Sequence, residues 1–181
     1  MAILSKNILI TGLPGSGKTT LITKLAAELR EYGPVGFTTG EIRPHGTRTG
    51  FRLTSLDHER TGILAHVEIA GPHRVGKYGV DLGGFEQFLG SLPLLDPSPR
   101  LVIIDEIGRM ECLSTKFRGL ITSLLTSNAA VIATIASKGG GFIDEVKSRP
   151  GVILYELTEK NRDTLSQDIA GLVRSLISSR A

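Results

Sequence analysis

The sequence predicts an α/β protein in which a mostly parallel sheet lies between two layers of helices. Short apolar runs alternate with one-sided helical stripes, as expected for parallel strands covered on both faces. A glycine-rich turn directly follows the first apolar run, and an acidic pair ends a later one. The 181 residues suit one domain, predicted over residues 1–181.

The first half of the chain supplies two predicted parallel strands and one helix. Asn7–Thr11 is a nearly continuous apolar run, typical of a strand buried on both faces. Residues 17–31 carry a one-sided apolar stripe that ends at Gly33 and Pro34, which predicts a helix. Residues 35–39 are predicted to form the second strand.

A different pattern follows the second strand. Residues 40–56 carry arginines among glycines and threonines, and they end in the alternating run FRLTSL. Alternation favours an antiparallel strand, so we predict an inserted β-hairpin here and a further strand over residues 62–68. This lid-like, antiparallel excursion is predicted to span about residues 40–74.

The second half of the chain predicts three more parallel strands with helices between them. The predicted elements are a helix over residues 85–92, a strand over 100–105, a helix over 114–127, a strand over 129–136, a short helix around 143–147, a strand over 152–157 and an amphipathic helix over 162–177. Ser114 is the predicted N-cap of its helix. Together these elements predict a three-layer domain.

Composition argues against several kinds of partner. The chain has 21 basic and 18 acidic residues without a concentrated basic stripe, so no nucleic-acid partner is expected. Cys112 is the single cysteine, which excludes an internal disulfide. No run approaches the ~20 apolar residues of a membrane span, and no secretory signal is recognisable. We therefore expect a cytoplasmic monomer with no membrane partner.

One motif points to a specific chemistry. The run Gly12-Leu13-Pro14-Gly15-Ser16-Gly17-Lys18-Thr19 matches G-x-x-x-x-G-K-[ST], with a predicted strand before it and a helix after it. Its glycines allow amide groups to converge on an anion, and the helix N-terminus adds positive potential. Lys18 is predicted to reach the β- and γ-phosphates of a nucleotide, and the Thr19 hydroxyl to ligate Mg²⁺. A glycine-rich turn without a ligand is the disfavoured alternative.

Acidic residues after the strand LVIID provide the second part of the predicted site. Asp105 is expected to complete the Mg²⁺ shell, directly or through a water. Glu106 is expected to polarise a water that attacks the γ-phosphorus, the alternative being that it only begins a solvated loop. For Glu111 we expect a capping or salt-bridge role. Thr134 either senses the γ-phosphate or is an ordinary buried strand residue.

Five segments in this order resemble one family. They are GLPGSGKTT (12–20), GFTTGEIR (36–43), HRVGKYGVDLGGFEQF (73–88), IIDEIGRME (103–111) and TEKNR (158–162). Together they resemble the small nucleoside-triphosphatases of the thermophilic archaeal and bacterial type, which have a human relative called cancer-related nucleoside-triphosphatase. The resemblance covers essentially the whole chain.

The resemblance implies a single RecA-like P-loop domain that slowly hydrolyses ATP, GTP, CTP and UTP to the diphosphate and phosphate. Lys18 and Glu106 would be catalytic, and Thr19 and Asp105 would hold Mg²⁺. The implied nucleotide-binding residues are Gly12, Leu13, Pro14, Gly15, Ser16, Gly17, Lys18, Thr19, Thr20, Asp105 and Arg162. Asn161 and Arg162 match a late Asn-Arg pair, and Arg162 would stack on the base, the alternative being an ordinary polar turn before a helix. Ala136 departs from the proline that relatives often carry, so residues 137–141 are expected to be shaped differently.

Two other functions remain open from the residues alone. In a nucleotide or small-molecule kinase, the excursion would cover a second phosphate-bearing substrate. In a nucleotide-dependent switch, hydrolysis would time the binding of a nucleic acid. An arginine that stabilises the transition state is also predicted, with Arg43, Arg74 and Arg109 as candidates and a surface role as the alternative.

Overall fold

A computed structural model describes residues 6–179 of the chain. Its strands are β1 (Asn7–Thr11), β2 (Val35–Ile42), β3 (Gly50–Ser55), β4 (Thr61–His66), β5 (Arg74–Val75), β6 (Tyr78–Val80), β7 (Leu101–Ile107), β8 (Ala130–Ile135) and β9 (Val152–Glu156). Its α-helices are α1 (Lys18–Glu28), α2 (Leu82–Gly90), α3 (Thr115–Thr126), α4 (Gly141–Lys147) and α5 (Leu165–Ser178). Short 3₁₀ turns cover Arg30–Tyr32, Pro44–Gly46 and Glu111–Leu113.

Within the described residues, the strands form one sheet in the order β5-β6-β4-β3-β2-β7-β8-β1-β9. The five strands from β2 to β9 in this order are all parallel, so the prediction of a mostly parallel α/β sheet is confirmed. Strand β8 lies between β1 and β7. Because the carboxyl ends of parallel strands share one edge, the turns after these three strands meet there.

Helices cover both faces of the parallel strands and form two separate cores. On one face, Ile8 and Ile10 pack with the apolar stripes of α1 and α5. On the other face, Leu9 belongs to the cluster that contains the buried side chains of α2, α3 and α4. Phe85 and Phe117 join α2 to α3 with ring centroids 5.4 Å apart. The layers are therefore helix, sheet and helix.

The segment predicted as an inserted hairpin continues the main sheet. Strand β3 pairs antiparallel with β2, from Phe37 opposite Ser55 to Ile42 opposite Gly50. Strands β4, β6 and β5 follow in antiparallel order, so the extension reaches Val80 and passes the predicted limit at residue 74. The sequence missed β5 and β6 because two and three residues are too few for a periodic signal.

Two predicted helix starts were wrong. Helix α2 begins at Leu82, because the Asp81 carboxylate accepts a 2.8 Å hydrogen bond from the amide of Gly84 and caps the helix. Helix α5 begins at Leu165, so Arg162 lies in the turn before it. The predicted cap of α3 is confirmed, since Ser114 accepts a 3.1 Å hydrogen bond from the amide of Phe117.

Gly36 allows β2 to lie against β7. Its φ is +142°, and a Cβ built there would lie 1.7 Å from the carbonyl oxygen of Ile103. Only glycine fits this approach. The close pairing brings Thr39, in the middle of β2, beside Asp105 near the carboxyl end of β7. Among residues 6–179, no helix is both long enough and apolar enough to span a bilayer.

Candidate nucleotide-binding site

The glycine-rich motif forms the turn between β1 and α1. Gly15 and Gly17 have φ values of +78° and +96°, which favour glycine, and Gly17 is the N-cap of α1. A Cβ at Gly12 would lie 2.8 Å from the carbonyl oxygen of Leu157, so this position is closed to larger residues. The turn thus places the first amides of α1 at the carboxyl edge of the sheet, as a phosphate site requires.

Lys18 lies across the mouth of this turn. Its ammonium group donates to the carbonyl oxygens of Gly12 at 3.0 Å and Leu13 at 3.1 Å. Its charge also lowers the pKa of Asp105 and of Glu106, although burial outweighs that effect in both carboxyl groups. The lysine is therefore close enough to serve both an anion in the turn and the acidic pair.

Asp105 connects three elements of the site. One carboxylate oxygen, Oδ2, accepts a 2.7 Å hydrogen bond from the Thr19 hydroxyl, and the other accepts a 2.5 Å bond from Thr134. The main-chain oxygen of Asp105 accepts a 2.5 Å bond from the hydroxyl of Thr39. Burial raises the pKa of Asp105, and these hydroxyls oppose the rise. Hard oxygens from Thr19 and Asp105 thus lie side by side, which suits Mg²⁺.

A metal at this point would need further ligands from outside the protein. Across the described part of the chain, no group of three or more His, Cys, Asp or Glu side chains is arranged to hold a metal ion. A P-loop site has this character, because phosphate oxygens and water complete the Mg²⁺ shell. The donor set therefore fits Mg²⁺ that arrives with a nucleotide.

Two further carboxyl groups meet beside Gly108. A Cβ at Gly108 would lie 2.6 Å from Glu106 Oε1 and 2.7 Å from Glu111 Oε2. Burial and the charge of Asp105 raise the pKa of Glu106. Burial, followed by repulsion from Glu106, raises the pKa of Glu111 to about 8. Glu111 is therefore mostly protonated at neutral pH, while amides at Gly108 and Glu111 favour its ionised form.

The environment of Glu111 does not match the salt-bridge role that we expected for it. In residues 6–179 its carboxyl group forms no ion pair, so the expected salt bridge is absent. The sequence did not indicate this environment, because Arg109 is only two positions away yet its side chain is exposed. Glu111 instead lies buried in the 3₁₀ turn that follows β7.

A cavity of about 780 Å³ unites these groups and has the size of a small-molecule site. The motif contributes Pro14, Gly15, Gly17, Lys18, Thr19 and Thr20 to its lining, whereas Gly12, Leu13 and Ser16 do not line it. Asp105 and Glu106 in β7 and Glu111 in the 3₁₀ turn after it also line the cavity. Thr134 is buried behind Asp105 and does not line it. Ala136 and Lys138 border it after β8.

The antiparallel extension forms the opposite wall. Arg48 lines the cavity and donates to Glu41 at 2.7 Å and to the hydroxyl of Tyr78 at 2.9 Å. Its guanidinium carbon lies 5.4 Å from the ring centroid of Phe51. Arg43, which also lines the cavity, pairs with the same Glu41. Sequence reasoning did not select Arg48, because 30 residues separate it from Tyr78 and only the fold brings them together.

The predicted arginine candidates fall in different places. Arg43 lines the main cavity, Arg74 lines an adjoining one, and Arg109 lines both. Arg162 is exposed, and its charged neighbour is Asp163 at 4.0 Å. It does not line either of these cavities, so the structure does not bring it to the phosphate end of the site.

The turn that carries Arg162 nevertheless borders the phosphate loop. The Asn161 side chain shapes this turn by accepting from the Thr158 amide at 2.8 Å and donating to the Glu156 carbonyl at 2.9 Å. The amide of Leu157 donates to the carbonyl of Thr11 at 2.8 Å, immediately before the loop. Stacking of Arg162 on a base stays a prediction.

Known proteins resemble this chain over most of its length, and not only at this site. A family model described as NTPase matches residues 7–170. A nucleoside-triphosphatase THEP1 of Thermotoga petrophila is 48% identical over 163 residues, which cover 90% of this chain and 89% of the relative. The cancer-related nucleoside-triphosphatase of Homo sapiens is 37% identical over 190 residues, covering 95% of this chain and 98% of the human protein.

A solved structure agrees with these matches. The crystal structure of THEP1 from the hyperthermophile Aquifex aeolicus has a TM-score of 0.81 and 36% identity, and the match covers 92% of this chain and 98% of that one. The resemblance found in the sequence and the prediction of an enzyme of this family are thereby confirmed. Since the likeness runs from β1 into α5 and is not confined to the phosphate loop, the chain belongs to the NTPase family.

Proposed function

We propose that this protein hydrolyses nucleoside triphosphates to the diphosphate and phosphate, with Mg²⁺ as cofactor. The observation that carries the proposal is the 2.7 Å hydrogen bond between Thr19 and Asp105 at the floor of the cavity that Glu106 also lines. It joins the phosphate loop to the acidic end of β7. Binding groups and a candidate base thus face one space.

In this proposal the triphosphate binds through the amides of the loop and through Lys18. Its phosphates offer the lysine better partners than the carbonyl groups of Gly12 and Leu13 that it now contacts. Thr19 and Asp105 hold Mg²⁺, which neutralises phosphate charge when bound. The turn supplies main-chain amide donors and Lys18 supplies one ammonium group, and these positive groups together favour a polyanion.

Glu106 accepts a proton from the attacking water. Burial raises the pKa of Glu106, which makes its carboxylate a better proton acceptor than an exposed glutamate. Lys18 opposes the rise and helps keep the carboxylate ionised. Arg43 and Arg48, on the wall that the extension forms, would stabilise negative charge on the phosphates if they exchanged Glu41 for a phosphate oxygen.

We propose that the four nucleotides ATP, GTP, CTP and UTP are all substrates. The loop residues from Pro14 to Thr20 that line the main cavity would contact the phosphates, which all four nucleotides share, and stacking by Arg162 would not distinguish one base from another. Selection would then depend on the triphosphate. This proposal requires similar turnover with all four.

Phosphate release from each of the four triphosphates, with and without Mg²⁺, tests the proposed function. We expect release from all four, dependence on Mg²⁺, and loss of activity in the Lys18→Ala variant. Activity that persists in Lys18→Ala, or that ignores chelation of Mg²⁺, contradicts the proposal.

Phosphoryl transfer to a second substrate is the alternative that one observation favours. Arg43 and Arg48 extend the cavity wall beyond the loop, and an acceptor with a phosphate group would compete with Glu41 for these two cations. Adding nucleoside monophosphates to the ATP reaction distinguishes the two functions. Hydrolysis predicts unchanged release of phosphate, whereas transfer predicts a new diphosphate formed from the acceptor.

A further inference from the structure

A second cavity of about 510 Å³ adjoins the main one. Its residues come from β5 and the turn after it, from the turn after β7, from α3, and from the start of α4 with the loop before it. Arg74, Arg109 and Arg118 face it, and we call it the arginine cavity. Val75 and Arg109 line both cavities, so the two spaces are neighbours.

The arginine cavity carries uncompensated positive charge. No aspartate or glutamate is among the residues that line it. Over residues 6–179, none of its three arginines has a carboxylate within ion-pair distance. Arg43 and Arg48 in the main cavity, by contrast, share Glu41. Three unpaired cations around one concavity favour an anionic ligand.

Neutral groups hold two of these arginines in place. Arg74 donates to the carbonyl oxygens of Ile69 at 3.2 Å and Lys77 at 2.7 Å. Arg118 donates to the hydroxyl of Thr115 at 3.3 Å. These bonds restrict the side chains without cancelling their charge. An anion would therefore meet guanidinium groups that are already partly ordered.

The remaining wall leaves main-chain groups accessible. Gly139, Gly140 and Gly141 line the cavity in succession and carry no side chains that would fill it. Cys112, Leu113 and Phe142 supply an apolar part of the lining. The cavity can thus accommodate an anionic group together with a less polar body.

We propose that the arginine cavity binds the phosphate group of a small phosphate ester, separately from the triphosphate site. Guanidinium groups match phosphate oxygens in pairs, which favours phosphate over a simple halide. The volume is that of a small-molecule site, and the modest net charge of +3 argues against a polymer. The proposal goes beyond hydrolysis, since this binding needs no turnover.

NMR of the full chain, loaded with Mg²⁺ and a non-hydrolysable ATP analogue, tests this site. Ribose 5-phosphate is the probe, ribose the control for the sugar and inorganic phosphate the control for the anion. We expect saturable shifts of the Gly139, Gly140 and Gly141 amides with both phosphates and none with ribose. The amides of Gly15 and Gly17 should stay unchanged, because the analogue occupies the loop.

Two matched variants separate this site from general charge. Arg118→Gln should weaken binding of ribose 5-phosphate by at least about tenfold, as expected when a charge-assisted hydrogen bond is lost. Arg52→Gln removes an exposed arginine that lines neither cavity and should bind like the wild type. Phosphate release without the ester should be unchanged in both, so failure here is distinguishable from failure of the proposed hydrolysis.

Three results would overturn the proposal. One is the absence of saturable shifts in the wild-type protein. Another is equal weakening in Arg118→Gln and Arg52→Gln, which would indicate only a general effect of charge. The third is binding of a single-stranded oligonucleotide with steep salt dependence while ribose 5-phosphate does not bind, which would indicate a nucleic-acid partner.

Discussion

The hydroxyl of Thr19 donates a 2.7 Å hydrogen bond to Asp105 Oδ2, although 86 positions separate the two residues in the chain. Thr19 lies in the first turn of α1 and Asp105 near the end of β7, with β8 between β7 and β1. The bond therefore depends on the strand order. It places two oxygens that suit Mg²⁺ beside the phosphate loop.

Asp105→Asn is predicted to abolish most activity without destabilising the fold. Burial raises the pKa of Asp105, so the buried charge opposes folding and an amide of the same size removes that penalty. The Mg²⁺ ligand is weakened at the same time. Phosphate release and the melting temperature should be measured together. A melting temperature well below that of the wild type would contradict the prediction.

Glu106→Gln is predicted to retain nucleotide binding and to lower turnover by at least about tenfold, because a general base typically contributes about 10²–10⁴-fold. The amide fills the same space beside Gly108 but cannot take a proton from water. Binding should be measured with a non-hydrolysable analogue and turnover by phosphate release. Wild-type turnover in this variant would remove Glu106 from the mechanism.

The position of the glycine-rich motif between a strand and a helix could be predicted from the sequence, because its eight residues are contiguous between two periodic segments. Asp105 and Glu106 were readable because they end an apolar run. Contacts between residues on neighbouring strands of the sheet could not be predicted from the sequence. The hydrogen bond from Thr39 to Asp105 requires β2 to lie beside β7, and the order of strands in the sheet cannot be deduced from their order in the sequence.

Polar contacts that the sequence did not reveal explain why Arg48 was not predicted and why Arg162 was placed in a helix. Arg48 meets Tyr78 only because the extension continues through β4 to β6, and β6 has three residues. Arg162 was assigned to a helix because the apolar stripe of α5 follows closely. The side chain of Asn161 instead closes a turn there, and helix α5 starts at Leu165. Such local competition with a helix is typical of asparagine.

Glu111→Gln is predicted to flatten the decline of stability with rising pH. The pKa of Glu111 is raised from 4.5 to about 8 in the folded chain. Between these values the unfolded chain has lost a proton that the folded chain keeps, so the free energy of unfolding falls as pH rises. The fall ends near pH 8. It amounts to a few kcal/mol, because a difference of one pKa unit between the folded and unfolded chain corresponds to about 1.4 kcal/mol.

Denaturant unfolding from pH 5 to pH 9 measures this effect. Glutamine has no proton to lose, so the variant should gain stability over the wild type progressively up to about pH 8. Parallel pH profiles for the two proteins would show that Glu111 does not titrate in this range.

Gly36→Ala is predicted to destabilise the fold by about 2–5 kcal/mol, from a strained φ and a steric clash. Its Cβ would lie 1.7 Å from the carbonyl oxygen of Ile103, a main-chain atom in β7. Gly40 in the same strand is the matched control, because a Cβ there meets nothing within 4 Å. Equal stability of the Gly36→Ala and Gly40→Ala proteins would contradict the close approach of β2 to β7.

Calorimetric titration with a non-hydrolysable triphosphate and Mg²⁺ tests the central claim, that the turn between β1 and α1 holds the polyphosphate. We expect one site per chain in the wild type and binding weakened at least about tenfold in Lys18→Ala, because a charge-assisted contact is lost. Absence of heat from well-folded wild-type protein, or equal affinity in Lys18→Ala, would contradict it.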